Sequence, residues 1–247
     1  MEMIDLLEII QDEKRSEDFL RSRGILKTFT HCYKCNSTKV GMTRSDRWKC
    51  YSCESEWTRR KDSVLSLVRM KYSEFLLCMK FFELELTAEE TAAQLKLNYK
   101  TVVLIFREIR MLLSDESKIT KSSQGTFLGK KIEEFGIYSI GEKFYFDFNS
   151  SNENNEAILH LERNRVTDSS LILDTSVRIL KTTKTKSIFD LPPVFQKFVR
   201  YLKEKLFKFR GTDRYYLQLY LKEIEFRFNN QEVDIFDRLA EIISKKY

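Results

Sequence analysis

Two pairs of cysteines near the start of the chain constrain its fold more than any other feature. Cys32 and Cys35 form one Cys-x-x-Cys pair, and Cys50 and Cys53 form a second after fourteen intervening residues. Thiolates at positions i and i+3 of a tight turn can share one Zn²⁺, and two such turns supply all four tetrahedral ligands. The spacing predicts a zinc ribbon with one structural Zn²⁺ per chain. The fifth cysteine, Cys78, lies in an apolar helical run, which is typical of a core residue.

The composition excludes several classes of protein. Apolar residues make up 42% of the 247 residues, with only 7 Gly and 2 Pro, which is a globular composition and not a disordered one. The N-terminal segment is studded with charges, and no apolar run approaches the roughly 20 residues that a membrane helix needs. We therefore expect no signal peptide, no membrane partner and a reducing compartment, where close cysteine pairs bind metal more often than they form disulfides.

The net charge of +6 is distributed unevenly along the chain. From Arg178 to Arg214 there are eleven Lys or Arg residues against three Asp or Glu, whereas from Ile132 to Asp168 there are eight acids against three bases. An asymmetry of this kind favours a polyanionic partner for one face of the protein. A solvated helix face explains the basic segment equally well, and charge alone leaves both explanations open.

The ribbon segment also combines cationic and aromatic side chains. Its cationic residues alternate with Trp48, Tyr51 and Trp57, a combination that suits phosphate contacts when it lies on a small rigid module. The tryptophans suit the small core of a ribbon as well, and both roles are compatible because the cationic side chains would then project outward. The candidate DNA-contacting residues of this segment are Arg44, Arg47, Lys49, Arg59, Arg60 and Lys61.

Residues 63–115 are predicted to be helical and to end in a helix-turn-helix. Thr87-Ala-Glu-Glu90 is a capping box, so one helix begins at about Ala88, and Asn98 is a suitable N-cap for the next. A helix-turn-helix places the N-terminal residues of its second helix in the major groove of DNA. Helical hairpins without a DNA role are also common. The residues that this arrangement leaves for DNA contact are Tyr99, Lys100, Thr101 and Arg107.

Beyond residue 115 the pattern becomes richer in strands. We divide the chain into an N-terminal helix with a four-cysteine zinc ribbon (1–62), a helix-turn-helix (63–115) and a C-terminal domain (116–247), joined by a polar linker near 115–124. Strands are predicted at Phe135–Ile140, Phe144–Phe148 and Leu171–Leu173. Helices are predicted at Glu156–Arg163, from Pro192-Pro193 to about Phe209, and around Tyr216–Phe226.

Several short motifs follow one another in a specific order that spans nearly the whole chain. They are Glu17–Leu26, Trp48-Lys-Cys50, Ala93–Val102, Phe135-Gly-Ile-Tyr138, Gly141-Glu-Lys143, Ala157–Asp174, Phe209-Arg-Gly211 and Tyr216–Asn229. In this order the chain resembles the Merlin superfamily of DDE transposases and the related bacterial insertion-sequence transposases. The resemblance implies an α+β multidomain protein. In it, the zinc ribbon and the helix-turn-helix precede an RNase H-like α/β core, a mixed sheet flanked by helices and completed by C-terminal helices.

The resemblance also indicates that the catalytic acids are incomplete. A DDE enzyme needs three carboxylates to hold two Mg²⁺ ions about 4 Å apart. The second acid is matched by Asp174, but the first position falls on Ser122-Ser-Gln-Gly125, with Gln124 as its degenerate residue, and the third falls on Gln196. Neutral side chains ligate Mg²⁺ weakly, and one carboxylate cannot hold two divalent ions. We therefore expect no bound Mg²⁺ and no catalysis, with Asp174 as a remnant.

Together these features predict a transposase-derived, catalytically inactive protein that binds double-stranded DNA in transcription or chromatin-associated complexes. We expect it in the nucleus if the source is eukaryotic, and otherwise in the cytoplasm with the nucleoid. Two alternatives remain open: an active DDE transposase with unrecognised acids, and a protein–protein scaffold in a nuclear assembly. Metal-dependent strand cleavage separates the active enzyme from the others, and salt-dependent DNA affinity separates the DNA-binding protein from the scaffold. A homodimer and contacts with other nuclear proteins also stay open.

Overall fold

The computed structural model describes residues 1–116, 134–140, 142–148, 157–163, 175–182, 193–208 and 216–247. They belong to two compact units, one formed by Met1–Leu112 with Val233–Tyr247 and the other by Leu113–Glu232. The secondary structure is a mixture of helices and two small antiparallel sheets, together with a cluster of four cysteines. Within the described ranges, no helix combines the length and the apolar character that crossing a membrane requires.

The first unit is mainly helical. Its helices are α1 (Met3–Ile10), α2 (Glu13–Ser22), α3 (Tyr72–Glu83), α4 (Ala88–Leu95), most of α5 (Tyr99–Glu116) and α8 (Ile235–Lys246), with a 3-10 turn at Val64–Leu67. Strands β1 (Val40–Met42), β2 (Arg47–Cys50) and β3 (Glu56–Thr58) form an antiparallel sheet in that order. Helix α3 is central, because it contacts α1, α2, α4 and α8. Its Phe75, Cys78 and Met79 are fully buried, which confirms the prediction for Cys78.

The last helix, α8, belongs to the first unit, whereas the sequence division assigned all of 116–247 to one C-terminal domain. Its apolar face, including Phe236 and Leu239, is buried, and α8 contacts α3. Gly24 adopts φ +73° just after α2, a conformation that favours glycine, and a Cβ there would lie in a tight contact 3.3 Å from the Cβ of Ser244 in α8. An amphipathic pattern shows that a helix has a buried face, but it does not show which core covers that face.

The second unit contains a four-stranded sheet and two long helices. Its strands are β4 (Glu134–Ile140), β5 (Lys143–Asp147), β6 (Ala157–Arg163) and β7 (Thr175–Thr182), and its helices are α6 (Pro193–Lys208) and α7 (Leu217–Asn229). The strand order is β5-β4-β6-β7 with antiparallel pairing throughout, for example Ile137 opposite Phe146 and Leu161 opposite Val177. Strands β4 and β5 and the start of α6 at Pro193 agree with the sequence predictions.

The predicted helix at Glu156–Arg163 is wrong, because residues 157–163 form strand β6. This strand pairs with both β4 and β7, so its backbone hydrogen bonds are made between strands. Apolar residues recur at every second position, at Ala157, Leu159 and Leu161, although Ile158 is also apolar. This period of two favours a strand over the helix propensity of Ala, Leu and Glu. The described pairings are antiparallel, whereas an RNase H-like core implies a mixed sheet, so they do not confirm that core. Residues 171–174 lie outside the described residues.

Helix α7 covers the outer edge of β5 in the described sheet. Phe146 donates its backbone N–H to Glu225 Oε2 at 2.7 Å, and Lys222 Nζ donates to the Phe146 carbonyl at 3.3 Å and to Glu225 Oε2 at 2.7 Å. One turn further along α7, the Asn229 amide donates to the Phe144 carbonyl at 2.7 Å and accepts from the Phe144 N–H at 2.9 Å. Glu225 and Asn229 are four residues apart on the helix, a rise of about 6 Å, and their partners Phe146 and Phe144 are two residues apart on the strand, a rise of about 7 Å. The two spacings therefore match. Side chains of α7 therefore bond the strand edge in place of another strand.

Candidate metal centre and basic surface

The four clustered cysteines sit on two turns of nearly identical geometry. In the first turn, the Cys32 N–H donates to the Ser37 carbonyl at 2.8 Å, and the Lys34 N–H donates to Cys32 Sγ at 3.4 Å. The second turn repeats both bonds eighteen residues later, from Cys50 to Ser55 at 2.9 Å and from Ser52 to Cys50 Sγ at 3.4 Å. Each turn closes with a left-handed residue, Asn36 (φ 56°) in the first and Glu54 (φ 60°) in the second.

The distances between the sulfur atoms fit a tetrahedral metal ion. Cys32 Sγ lies 3.6 Å from Cys53 Sγ, Cys35 Sγ lies 3.6 Å from Cys50 Sγ, and all four ligand atoms lie within 4.8 Å of one another. Tetrahedral Zn²⁺ with Zn–S bonds of about 2.3 Å places its sulfurs about 3.8 Å apart. The four cysteines can therefore hold one metal ion, and this fit is compatible with a structural Zn²⁺.

The surrounding hydrogen bonds shift the pKa values of Cys35 and Cys53 in opposite directions. Bonds from the hydroxyl and the backbone N–H of Ser55 lower the pKa of Cys53 to about 6. The backbone N–H of Ser37 lowers the pKa of Cys35, but the hydrogen bond with Cys53, burial, and the hydrogen bonds with Cys50 and Cys32 outweigh this and raise that pKa to about 12. Four thiolates at this separation repel one another unless a cation lies between them, and a divalent cation replaces the protons as it binds.

An aromatic cluster and the three-stranded sheet position the two turns. Trp57 is buried against Cys32 and Cys50, and its ring contacts Phe29, Tyr33 and Trp48 with centroid distances of 5.6, 5.1 and 6.5 Å. The tryptophans therefore supply the core of this module, which is the second of the two roles that the sequence allowed. We call residues 29–61 the cysteine module.

Most cationic side chains of the cysteine module are already paired within the first unit. Arg47 and Lys49 both lie near Glu56, at 3.6 and 3.9 Å, and Lys61 Nζ lies 3.1 Å from Asp62 and 4.5 Å from the Tyr33 ring centroid. The Arg60 guanidinium lies 4.7 Å from the centroid of the Tyr72 ring. Arg44 is exposed in the turn between β1 and β2. The structure thus brings these residues into one module but leaves Arg44 as its most accessible predicted DNA contact.

Arg59 connects the cysteine module to helix α2, a role that the sequence interpretation missed. Its guanidinium contacts Glu17 Oε1 and lies 2.8 Å from Asp46 Oδ1. Glu17 is buried and is also paired with Arg21 at 2.6 Å. Burial lowers the pKa of Arg59, but the charges of Glu17 and Asp46 outweigh it and raise that pKa. The i,i+4 pair of Glu17 and Arg21 was visible in the sequence, whereas the contact with Arg59 was not, because 42 residues separate the partners.

The turn between α4 and α5 presents a second group of predicted residues. Helix α4 begins with the predicted capping box, in which the Glu90 N–H donates to Thr87 Oγ1 at 3.1 Å and the Thr87 N–H donates to Glu90 Oε2 at 2.7 Å. It ends at Leu95 and is followed by the capping residue Lys96, which is left-handed with φ 53°. Asn98 Oδ1 accepts from the Lys100 N–H at 2.8 Å and caps α5, also as predicted.

Helix α5 divides its predicted contacts between exposed and half-buried positions. Tyr99 and Lys100 are exposed, and Thr101 and Arg107 are half-buried. The opposite face of the helix is buried through Val102, Ile105, Phe106, Ile109 and Leu113. Lys100 and Arg107 are seven residues apart, so they share the face that points away from this core. Lys96 and Asn98 are exposed beside them and were not among the predicted contacts, although their place in the turn already indicated exposure.

Of the three predicted catalytic remnants, one lies within the described residues. Gln196 lies on α6 and is half-buried, whereas Gln124 and Asp174 lie outside the described residues. None of the known family models, curated proteins or solved structures matches this chain.

Proposed function

We propose that the first unit binds double-stranded DNA through a helix-turn-helix formed by α4 and α5, on a module held by one structural Zn²⁺. The observation that carries the proposal is the N-terminal turn of α5. There, Tyr99 and Lys100 are exposed while Val102, Ile105 and Phe106 anchor the opposite face. A helix fixed in this way can place its first residues in a major groove, where Lys pairs with guanine and Tyr contacts a phosphate or a base.

The short turn supports this assignment because it fixes the angle between the helices. The Leu97 N–H donates to the Ala92 carbonyl at 3.0 Å and the Lys96 N–H donates to the Ala93 carbonyl at 3.4 Å, which is the Schellman pattern at a helix C-terminus. Only three residues, 96–98, separate the end of α4 from the start of α5. Helix α3 adds support, since Phe82 contacts Phe106 edge to face at a centroid distance of 5.1 Å. The three helices therefore give α5 a fixed orientation.

The zinc site has a structural role in this proposal. Four thiolates fill the coordination sphere of a tetrahedral Zn²⁺ and leave no position for water or substrate. The ion would hold the two turns together, and the Glu17–Arg59 contact would then fix the cysteine module to α2. Because most of its cations are paired internally, we assign the module a smaller share of DNA contact than α5, with Arg44 as its principal contributor.

The wider interpretation rests on the sequence resemblance. We propose a protein derived from a Merlin-type transposase that has lost catalysis and acts on DNA in the nucleus or at the nucleoid. The resemblance supports this history through the order of its motifs, although β6 replaces one expected helix of the RNase H-like core. Gln196 in place of a carboxylate supports the loss of catalysis. We expect no Mg²⁺- or Mn²⁺-dependent nicking of DNA by the protein.

The test begins with selection of a preferred duplex from a random pool and measurement of affinity by fluorescence anisotropy. Lys100→Ala is expected to weaken binding to that duplex by about 1–3 kcal/mol if Lys100 reads a base. Lys14→Ala removes an exposed cation from α2 and serves as the matched control, with unchanged affinity expected. Equal losses in the two variants would contradict the role of α5. Absence of any affinity at about 50 mM salt would favour the scaffold alternative.

A further inference from the structure

We propose that the exposed face of α6, in the second unit, is a separate contact for the DNA phosphate backbone that does not depend on base sequence. The face presents Lys197, Arg200 and Lys203, all exposed. This proposal rests on the proposed function only because the α5 surface and the α6 face would both bind DNA.

The orientation of this face is fixed by the packing on the other side of the helix. Phe195, Phe198, Val199, Leu202 and Leu206 are buried, and they belong to one apolar cluster with side chains of β4, β5 and α7. Phe198 stacks on Phe144 with a centroid distance of 4.9 Å and contacts Phe228 at 4.8 Å. Because these contacts prevent rotation of the helix about its axis, the three cations must point away from the core.

The charges on the face are largely uncompensated. Among the described residues, Arg200 and Lys203 take part in no ion pair or hydrogen bond, and Lys197 makes one long contact, 3.5 Å, with Gln231 Oε1. Glu204 is the single acid between Pro193 and Lys208. Three cations with one acid on a rigid surface create a local positive potential that is not neutralised within this helix.

The spacing of the cations suits a regular polyanion. Lys197, Arg200 and Lys203 follow at intervals of three residues, so they extend over about 9 Å of the helix axis. One DNA strand carries a phosphate every 3.4 Å along the duplex axis, so this length faces about three phosphates. The flanking sequence is also basic, with eleven Lys or Arg against three acids from Arg178 to Arg214. Within residues 193–206, the aromatic side chains Phe195 and Phe198 are buried and Tyr201 is half-buried, so none of these three is fully open to solvent for stacking on bases, which favours duplex over single-stranded DNA.

The experiment measures affinity for a 30-base-pair duplex of random sequence over a series of salt concentrations. The full chain with Lys197→Gln, Arg200→Gln and Lys203→Gln is compared with the wild type, because Gln keeps helix propensity and removes the charge. The slope of log K against log salt is expected to fall in magnitude by about 2.7 if each cation contacts one phosphate. Circular dichroism checks that α6 still forms.

A second triple variant controls for the loss of net charge. Lys14→Gln, Arg15→Gln and Lys245→Gln remove three exposed cations from the first unit, and the slope is expected to stay near that of the wild type. An unchanged slope in the α6 variant overturns the proposal, and so does an equal fall in the control. If Lys100→Ala weakens binding while the α6 variant does not, only the α6 contact fails. If the α6 variant weakens binding while Lys100→Ala does not, only the role of α5 fails.

Discussion

The cysteine module and the α7–β5 pair both enclose charged or hydrogen-bonding groups that water would otherwise solvate. They differ in what compensates those groups. In the cysteine module four sulfurs lie within 4.8 Å of one another, and their negative charge needs a cation from solution. Between α7 and β5 the cation is part of the chain: buried Lys222 lies 2.7 Å from buried Glu225, and both bond the backbone of Phe146. The cysteine module is therefore suited to a metal ion from solution, whereas the α7–β5 pair uses its own side chains.

The two regions also differ in how far apart their partners lie in the sequence. Cys32 and Cys53 are 21 residues apart, whereas Phe144 and Asn229 are separated by 85 residues. A short-range site can be recognised from spacing alone, because the chemistry of the metal dictates the spacing. A long-range contact has no such spacing in the sequence. Its only trace is a helix whose polar residues turn out to be buried in the structure. In α7, Glu223, Glu225 and Arg227 are buried although their sequence indicates a mixed, half-exposed helix.

Removal of the metal ligands is expected to have the largest effect. Purified protein should contain about one Zn per chain by elemental analysis, and Cys35→Ser with Cys50→Ser should abolish it. In small modules of this kind the binding free energy of the metal, on the order of 10 kcal/mol, is the folding free energy. Trp48 and Trp57 are the two tryptophans of the chain, so tryptophan fluorescence reports unfolding of the cysteine module alone.

Two observations make this prediction specific. Cys78→Ala removes a thiol outside the cluster, and the zinc content of that variant should stay at one per chain. In the double serine variant, the amides of Phe144 and Phe146 should keep their protection from hydrogen exchange, because their bonds lie in the second unit. Full zinc occupancy in the double variant would overturn the ligand assignment. Loss of protection at Phe144 and Phe146 would show that the two units do not unfold independently.

Removal of Glu225 is the corresponding change in the second unit. Glu225→Ala leaves the Lys222 ammonium buried without its carboxylate and the Phe146 N–H without its acceptor, which is expected to lower the free energy of unfolding by about 3–5 kcal/mol. Urea unfolding followed by circular dichroism measures the change. Glu241→Ala breaks exposed pairs with Lys245 and Arg238 and should have no measurable effect. Similar stability of the Glu225 and Glu241 variants would show that α7 does not support the edge of β5.

Much of the first unit follows from its sequence because its signals are local. The capping box at Thr87, the N-cap at Asn98 and the cysteine spacing each involve residues within one turn or one hairpin, and the structure has both caps and the cysteine cluster. Cys78 was also correctly assigned to the core. For the two caps and the cysteine cluster, the bonded or clustered partners lie at most 21 residues apart in the sequence.

The wrong helix prediction at Glu156–Arg163, and the contacts that the sequence did not indicate, both involve distant partners. Residues 157–163 contain good helix formers, but pairing with β4 and β7 makes them a strand. The docking of α8 on α3 and the contact of Arg59 with Glu17 join segments that no local pattern connects. The Arg59 contact also changes the interpretation of the site, because a cation that the sequence assigned to DNA holds the cysteine module to α2.

The two left-handed residues that close the cysteine turns provide the smallest and most specific comparison. Glu54 (φ 60°) and Asn36 (φ 56°) occupy equivalent positions, but Asn tolerates this conformation better than Glu does. Glycine relieves a left-handed strain of about 1–2 kcal/mol and costs about 0.5–1 kcal/mol of chain entropy, so Glu54→Gly should gain about 0.5 kcal/mol. Competition with a chelator should then show zinc held about twofold more tightly, whereas Asn36→Gly should change little. An equal gain in both variants would mean that the strain does not depend on residue type. A loss in Glu54→Gly would mean that the Glu54 side chain itself supports the turn.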